Sequence, residues 1–263
     1  MRFLSYAQEL EDIILYDVLK DYENGFYIDV GANDPWDISV TKAFYERGFH
    51  GINIEPLTSE YEKLIEDRPR DINLCVGVGK EETELILYEM GTGSTFDANI
   101  VKTSSKNDDS IPQKVIKITT LSNICDEWCP PPQEIHFCKI DVEGFERDVL
   151  LGMNFDKYRP YVIVMESAEP GTTVSSHEKW ESILLENNYR LAYAYGVNRY
   201  YTDQCSDIGE RFIGVEKLLE KYQIYKPISI TKNDLGSLEI MRNIIYYSKL
   251  LPRALITMFK KPV

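Results

Sequence analysis

The stretch FYIDV, Phe26–Val30, is apolar at four of its five positions and runs straight into Gly31-Ala32-Asn33. A run so short and so apolar suits neither an amphipathic helix nor a strand with one wet face. It suits a strand buried on both sides, as in a parallel sheet. Parallel strands need a crossover between them, usually a helix. Here the segment SVTKAFYERG supplies one, with Ser39 as its N-cap and Gly48 as its stop, and GINIEP (51–56) follows as a second strand. An acid-rich helix then runs to Pro69, and NLCVGV (73–78) reads as a third strand. Before this series, 6–20 carries apolar positions among acids and predicts an amphipathic helix ended by Gly25. Alternation of this kind builds a doubly wound parallel sheet.

The second half repeats the logic without repeating the sequence. IHFCKID (135–141) reads as a strand, GFERDVLLGM as a helix, YVIVMES (161–167) as a strand, and 177–187 as a helix. YRLAYAYGVNRYYT (189–202) alternates like a closing hairpin that turns at 196–198. Between the halves, 91–113 is polar and rich in Ser, Thr and Asp. Loops longer than about 15 residues are often lids or binding loops. These patterns predict one domain over 1–222 and a helical extension over 223–263. The end of that extension, 241–263, holds Arg242, Lys249, Arg253, Lys260 and Lys261 among apolar residues, with no acid. A basic amphipathic segment can lie on an anionic membrane; it can equally pack on its own domain or in a homodimer.

Charge excludes one class of partner. With 29 basic and 43 acidic residues the net charge is −14, so general nucleic-acid binding is not expected. No apolar stretch approaches the roughly 20 residues of a membrane span. The N-terminus MRFLSYAQELEDIILYDVLK has no uninterrupted apolar core or cleavage site of a secretory signal. Cys75, Cys125, Cys129, Cys138 and Cys205 read as reduced thiols of a cytoplasmic protein, and Cys125-x3-Cys129 lacks a second pair at zinc spacing, His136 and His177 being the only nearby histidines.

In open α/β sheets the ligand lies beyond the carboxyl ends of the strands. Gly31 permits a tight turn there, and Glu55, 24 residues further on, can accept both hydroxyls of a ribose. A pyrophosphate needs G-x-G-x-x-G, and Gly31 stands alone, followed by Asp34, Pro35 and Asp37. Acids there repel a diphosphate and suit a cofactor with a positive centre and an ammonium group, which describes S-adenosylmethionine.

FYIDVGANDPWDISVTKAFYERGFHGINIEP, RPRDINL and KIDVEGFERDVL closely resemble the FkbM family of S-adenosylmethionine-dependent methyltransferases, over a span from about Ser5 to Glu166. The resemblance implies a Rossmann-like doubly wound, mostly parallel seven-stranded sheet of the class I methyltransferase type. It implies O-methyl transfer, and the DVGANDP…GINIEP form is similar to proteins of bacterial capsule, O-antigen and related polysaccharide pathways. Carried over by residue, Asp29, Gly31, Ala32 and Asn33 hold the methionine end of the cofactor. Glu55, with Pro56 beside it, holds the ribose. Ser39 joins this set, as does Gln8 in the opening segment Ser5-Tyr6-Ala7-Gln8 with Glu11-Asp12. Ser94, in Gly93-Ser94-Thr95, is expected near the adenine.

Methyl transfer needs alignment and removal of a proton from the attacking oxygen. Asp141 and Glu143 follow the fourth strand and Glu166 ends the fifth, so these three are the expected catalytic acids, with Asp141 first as base. Alternatively Asp141 and Glu166 ligate Mg²⁺ or Mn²⁺, which acidifies a bound oxygen. His177 is a second candidate base. Lys139 is expected to pair with Glu143 or Glu146, and Glu146 and Arg147 to be solvated or to offset the helix dipole. Trp36, Tyr45, Trp180, Tyr200 and Tyr201 are available to stack on a sugar. The acceptor expected is a sugar hydroxyl in a nucleotide-linked or lipid-linked glycan precursor, with a polyketide or phosphoramidate hydroxyl as the non-sugar option. Two other classes share the sheet: an NAD-dependent sugar oxidoreductase, for which Tyr222-x-x-x-Lys226 has the right spacing, and a non-catalytic binding module.

Overall fold

The first third of the chain runs β1 (Arg2–Leu4), α1 (Glu11–Leu19), β2 (Phe26–Val30), α2 (Lys42–Glu46), β3 (His50–Ile54), α3 (Thr58–Asp67), β4 (Ile72–Leu74), β5 (Gly77–Val78) and β6 (Thr83–Tyr88). It continues through α4 (Ala98–Thr103), β7 (Gln113–Thr119), α5 (Leu121–Trp128), β8 (Phe137–Ile140), α6 (Glu146–Leu151) and β9 (Val162–Glu166). Then come α7 (Glu181–Glu186), β10 (Tyr189–Tyr195), β11 (Asn198–Asp203), α8 (Val215–Leu219) and β12 (Gln223–Tyr225). The computed structural model describes residues 2–103 and 111–226. The basic segment 241–263, and the membrane or dimer contact expected of it, lie outside the described residues.

Seven strands form one sheet in the order β10-β11-β9-β8-β2-β3-β4. The five strands from β9 to β4 are parallel, and β11 runs antiparallel to both β9 and β10. The chain winds outward from β2 to β4, then returns to place β8 on the other side of β2. That reversal opens a crevice at the carboxyl ends of β2 and β8.

Both faces of the sheet are covered, which explains the near-continuous apolar strands. Phe26, Ile28 and Val30 pack with Ile140, Met165 and Trp180 against Leu121 of α5, Val149 of α6 and Leu184 of α7. On the other face Tyr27, Phe137, Val164 and Tyr200 pack against Ile14 and Val18 of α1 and Phe44 of α2. Two charged residues interrupt that second face. Asp29 and Lys139 are cross-strand partners in the β2–β8 ladder.

Several elements depart from the sequence expectation. The first helix starts at Glu11 rather than at 6, because Asp12 pins the preceding turn: its carboxylate accepts Ser5 Oγ at 2.8 Å and the Tyr6 N–H at 2.7 Å. Ser39 does not cap the second helix, which starts after Thr41; Ser39 Oγ accepts from Arg68 at 3.1 Å. The expected strand 73–78 splits in two. Ile72–Leu74 stays in the large sheet, while Gly77–Val78 pairs with β7 in a separate three-stranded sheet, β5-β7-β6. The expected loop 91–113 contains a 3-10 turn at Gly91–Gly93 and the helix α4. Gln223–Tyr225 is a strand, paired in parallel with β1, rather than the start of a helical extension. Among the described residues no helix is long and apolar enough to cross a membrane.

Candidate active site

Gly31 fixes the floor of the crevice. Its φ is +77°, and a Cβ there would stand 1.9 Å from the carbonyl oxygen of Asp141. The turn is held by backbone: the Gly31 and Ala32 N–H groups donate to Ile54 O at 3.0 and 3.1 Å, and the Asp141 N–H to Val30 O at 3.1 Å. Lys139 Nζ donates to Gly31 O at 2.7 Å. Asn33, also left-handed at φ 51°, donates its N–H to Glu55 Oε2 at 2.8 Å, while the Leu57 N–H donates to Oε1 at 2.8 Å. Glu55 is thereby oriented on both oxygens, and burial pushes its carboxyl up to about 7.

Beside it lies an acid cluster around one ammonium. Lys139 Nζ is 3.5 Å from Asp29 and 3.4 Å from Asp141, so the expected pairing with Glu143 or Glu146 is replaced by a bridge between the ends of β2 and β8. Burial opposes the charge on Lys139, yet Asp141 and Asp29 hold its pKa above the ordinary lysine value. Glu143 is left-handed at φ 51°, and burial with Asp141 nearby raises it to about 7. Glu166 is pushed up to about 9 by burial and by the neighbouring Asp141. Glu146 is buried rather than solvated, and its carboxylate accepts the Val142 N–H at 3.2 Å and the Gly144 N–H at 3.1 Å. It ties down the 141–144 loop. Thr95 Oγ1 holds the same loop from the opposite side through Glu143 O at 2.9 Å.

The remaining wall comes from sequence that carried no strong signal. Glu9 Oε2 accepts the Val197 N–H at 2.7 Å, and Glu11 Oε1 accepts from Asn198 Nδ2 at 2.9 Å. These bonds join the N-terminal segment to the turn between β10 and β11. Lys226 Nζ donates to Gln8 O at 2.8 Å. Glu11 itself is buried and raised to about 7.

Together these residues enclose a cavity of about 380 Å³, within the range of small-molecule sites. Gln8, Gly31, Ala32, Asn33, Glu55, Pro56, Ser94, Asp141, Glu143 and Glu166 all line it. Two expected cofactor residues do not. Asp29 is buried beneath the floor on Thr41 and Lys139, and Ser39 is buried against Arg68. Ser94 Oγ is occupied in its own turn, accepting the Met90 N–H at 2.9 Å and donating to Gly91 O at 2.7 Å. Glu9, Glu11, Lys139 and Asn198 line the cavity and were not expected there as site residues, apart from Glu11 in the opening segment. Lys139 carried a signal, a cation inside an otherwise apolar buried strand.

The lining fits an adenosyl cofactor. Val76, Val78, Leu87 and Phe96 offer an apolar wall beyond β3, and Glu55 an acceptor for hydroxyls. Glu9, Glu11, Asp141 and Glu143 give a negative environment for a sulfonium and an ammonium. A divalent metal on Asp141 and Glu166 does not fit, since the Lys139 ammonium already faces Asp141. Among the described residues no group of three or more His, Cys, Asp or Glu is placed to hold a metal.

The other candidates fall away on geometry. His177 Nδ1 is 2.5 Å from Ser175 Oγ, its Nε2 is 3.7 Å from Glu181, and it does not line the cavity. Trp36 donates to Asp67 at 2.6 Å under the Lys42 ammonium, and Trp180, Tyr200 and Tyr201 are buried in the core. Tyr222 packs edge-on against Phe3, and neither it nor Lys226 lines the cavity.

Residues 29–191, more than half of the chain, match the family model described as the methyltransferase FkbM domain. No curated protein matches. Among solved structures, the methyltransferase FkbM from Methylobacillus flagellatus KT is similar at 14% identity with a TM-score of 0.43. The similarity covers 68% of this chain and 43% of that one, so the chain spans less than half the length of that protein.

Proposed function

The chain belongs to the FkbM methyltransferase family, and from that premise we propose that it transfers the methyl group of S-adenosylmethionine to a hydroxyl of a sugar or glycan precursor. One observation carries the reading: a ribose-ready Glu55 and the acids Asp141, Glu143 and Glu166 line one cavity at the carboxyl ends of the strands. When bound, S-adenosylmethionine supplies a methyl on a sulfonium leaving group, open to in-line attack. Asn33 and Leu57 hold the Glu55 carboxylate so that it accepts the ribose hydroxyls. Lys139 fixes Asp141 beside the Gly31 turn, where its charge favours the cationic end of the donor.

Glu143 takes the proton from the acceptor hydroxyl. A base works best when its pKa lies near the ambient pH, and Glu143 sits at about 7. Glu166, pushed up to about 9 by burial and by the Asp141 carboxyl that it hydrogen-bonds, keeps a proton at neutral pH that it shares with Asp141 at the cavity wall. The proposed base is thus Glu143, where the sequence put Asp141 first. No step runs through a metal. The five free cysteines suit a cytoplasmic location for the proposed reaction.

An NAD-dependent oxidoreductase would have to seat a diphosphate against Glu9, Glu11, Asp141 and Glu143, which their charge opposes. The test is thermal stabilisation by S-adenosylmethionine, S-adenosylhomocysteine and NAD, followed by transfer of labelled methyl to a glycan extract. A ligand at about 100 times its Kd stabilises by about 2.7 kcal/mol, or roughly 5–10 °C for a domain of this size. Stabilisation by the adenosyl ligands alone is expected, and Glu143→Gln is expected to slow transfer by about 10²–10⁴ with S-adenosylhomocysteine still bound. A response to NAD alone would overturn the reading, and bound cofactor without transfer would favour the non-catalytic module.

A further inference from the structure

Beside the cavity, an open groove of about 370 Å³ runs between the segment after β9 and the β10–β11 hairpin. We infer that this groove is the acceptor subsite and that it takes a neutral polyhydroxyl ring; the inference rests on the methyltransferase reading above. Continuity is the first argument. Glu9, Thr173, Val197 and Asn198 line both the cavity and the groove. Glu166, which lines the cavity, is followed in the chain by Ser167, which lines the groove. A ring seated in the groove therefore presents its edge to the cavity past the four shared residues.

The walls are the second argument. Thr173 brings a hydroxyl, Asn198 its amide oxygen and Glu9 a carboxylate. The Ser167 hydroxyl, which donates to Val197 O, is left as an acceptor, and that of Ser175 is engaged by His177 Nδ1. Vicinal hydroxyls both donate and accept, and such a mixed set satisfies both roles. The wall is built rather than incidental. Segment 168–175 folds back on itself through the Ala168–Ser175 bridge and a 2.7 Å bond from the Glu169 N–H to Val174 O. Ser167 is tied directly to the hairpin turn, its N–H and Oγ both donating to Val197 O, at 2.8 and 2.6 Å. Gly196 is left-handed at φ +57°, and a Cβ there would meet Glu9 Oε2 at 1.6 Å, so the hairpin turn is shaped to seat Glu9 at the junction.

Charge is the third argument. Glu9 stands at the junction, with Glu11 and Asp141 on the cavity side, while the Arg199 guanidinium on the groove wall is 3.5 Å from Glu181. A phosphate in the groove would face these acids. The phosphoryl end of a nucleotide-linked or lipid-linked precursor therefore lies outside, and the ring alone enters.

The experiment uses the full chain saturated with S-adenosylhomocysteine. Binding of methyl α-D-glucopyranoside and of glucose 1-phosphate is compared by ligand-observed NMR, in the native protein and in Ala194→Trp. Ala194 is an exposed β10 residue of the groove that does not line the cavity, so a bulky aromatic fills the groove and leaves the core intact. The neutral glycoside is expected to bind, with glucose 1-phosphate and Ala194→Trp each weakening binding by about tenfold or more. The S-adenosylhomocysteine Kd is expected to stay within about twofold in the variant. Absence of glycoside binding to a chain that binds S-adenosylhomocysteine overturns the subsite, as does preference for the phosphate or an unaffected variant. If S-adenosylhomocysteine itself fails to bind, the methyltransferase reading falls and takes the subsite with it.

Discussion

At the scale of single residues, Gly31 carries a double constraint, a left-handed φ and a carbonyl oxygen 1.9 Å from where its Cβ would stand. Gly31→Ala must move the Asp141 backbone or abandon the turn, and is expected to cost more than about 2 kcal/mol, read by urea denaturation. Gly93, with open space around it and no left-handed φ, gives the control: Gly93→Ala is expected to change stability by less than about 0.5 kcal/mol. Equal effects would show that the Gly31 turn is not the constraint described. Gly31 and Glu55 were legible because a glycine and an acid closing apolar strands stand out. Glu143, the base in the proposed mechanism, did not stand out, because three neighbouring acids look alike in sequence. Only burial and the charges around each one separate their proton affinities. Asp29 misled for a related reason: it lies in the motif, but its side chain points to the α1 face, toward Lys139.

At the scale of elements, the small sheet and the 91–96 turn hold the cavity from one side, and Thr95 is the pin between them and the 141–144 loop. Thr95→Val removes the hydroxyl that bonds Glu143 O and also receives the Asp97 N–H at 3.1 Å. A hydrogen bond of this kind contributes about 1 kcal/mol, so S-adenosylhomocysteine affinity is expected to fall about fivefold in calorimetry. Unchanged affinity would mean that the loop holds without the pin. The strands of the large sheet were readable from their apolar runs, since both faces are covered. The small sheet was not. Its β5 has only two residues, and its partner β7 lies far along the chain, with Gly77 opposite Ile118. On β6 and β7 the exposed Ile86 and Val115 face solvent opposite each other, which blurs the alternation that marks a one-sided strand. Pairing over such a distance is a property of topology, which local pattern does not carry.

For the molecule as a whole, the net charge of −14 counts every carboxyl as ionised, yet several are drawn inside. Burial raises Asp12 to about 6, Glu11, Glu55 and Glu143 to about 7, and Glu166 to about 9. Each keeps its proton in the fold above the pH, about 4, at which the unfolded chain gives it up. The stability they lend is full below that pH and is lost as pH rises through 6 to 9. Tm is therefore expected to be higher at pH 6 than at pH 8, by about 2–4 °C for each kcal/mol, in scanning calorimetry. A flat or opposite trend would mean that these groups are ionised in the fold. The pairing of β1 with β12 has a different consequence. Arg2–Leu4 lies in register with Gln223–Tyr225, and the Ser5 N–H donates to Tyr225 O at 2.8 Å. Contacts so distant along the chain close slowly, and synthesis proceeds from the N-terminus. The segment that walls the cavity with Gln8, Glu9 and Glu11 is therefore synthesised well before the strand that anchors it and waits for that strand to find its place.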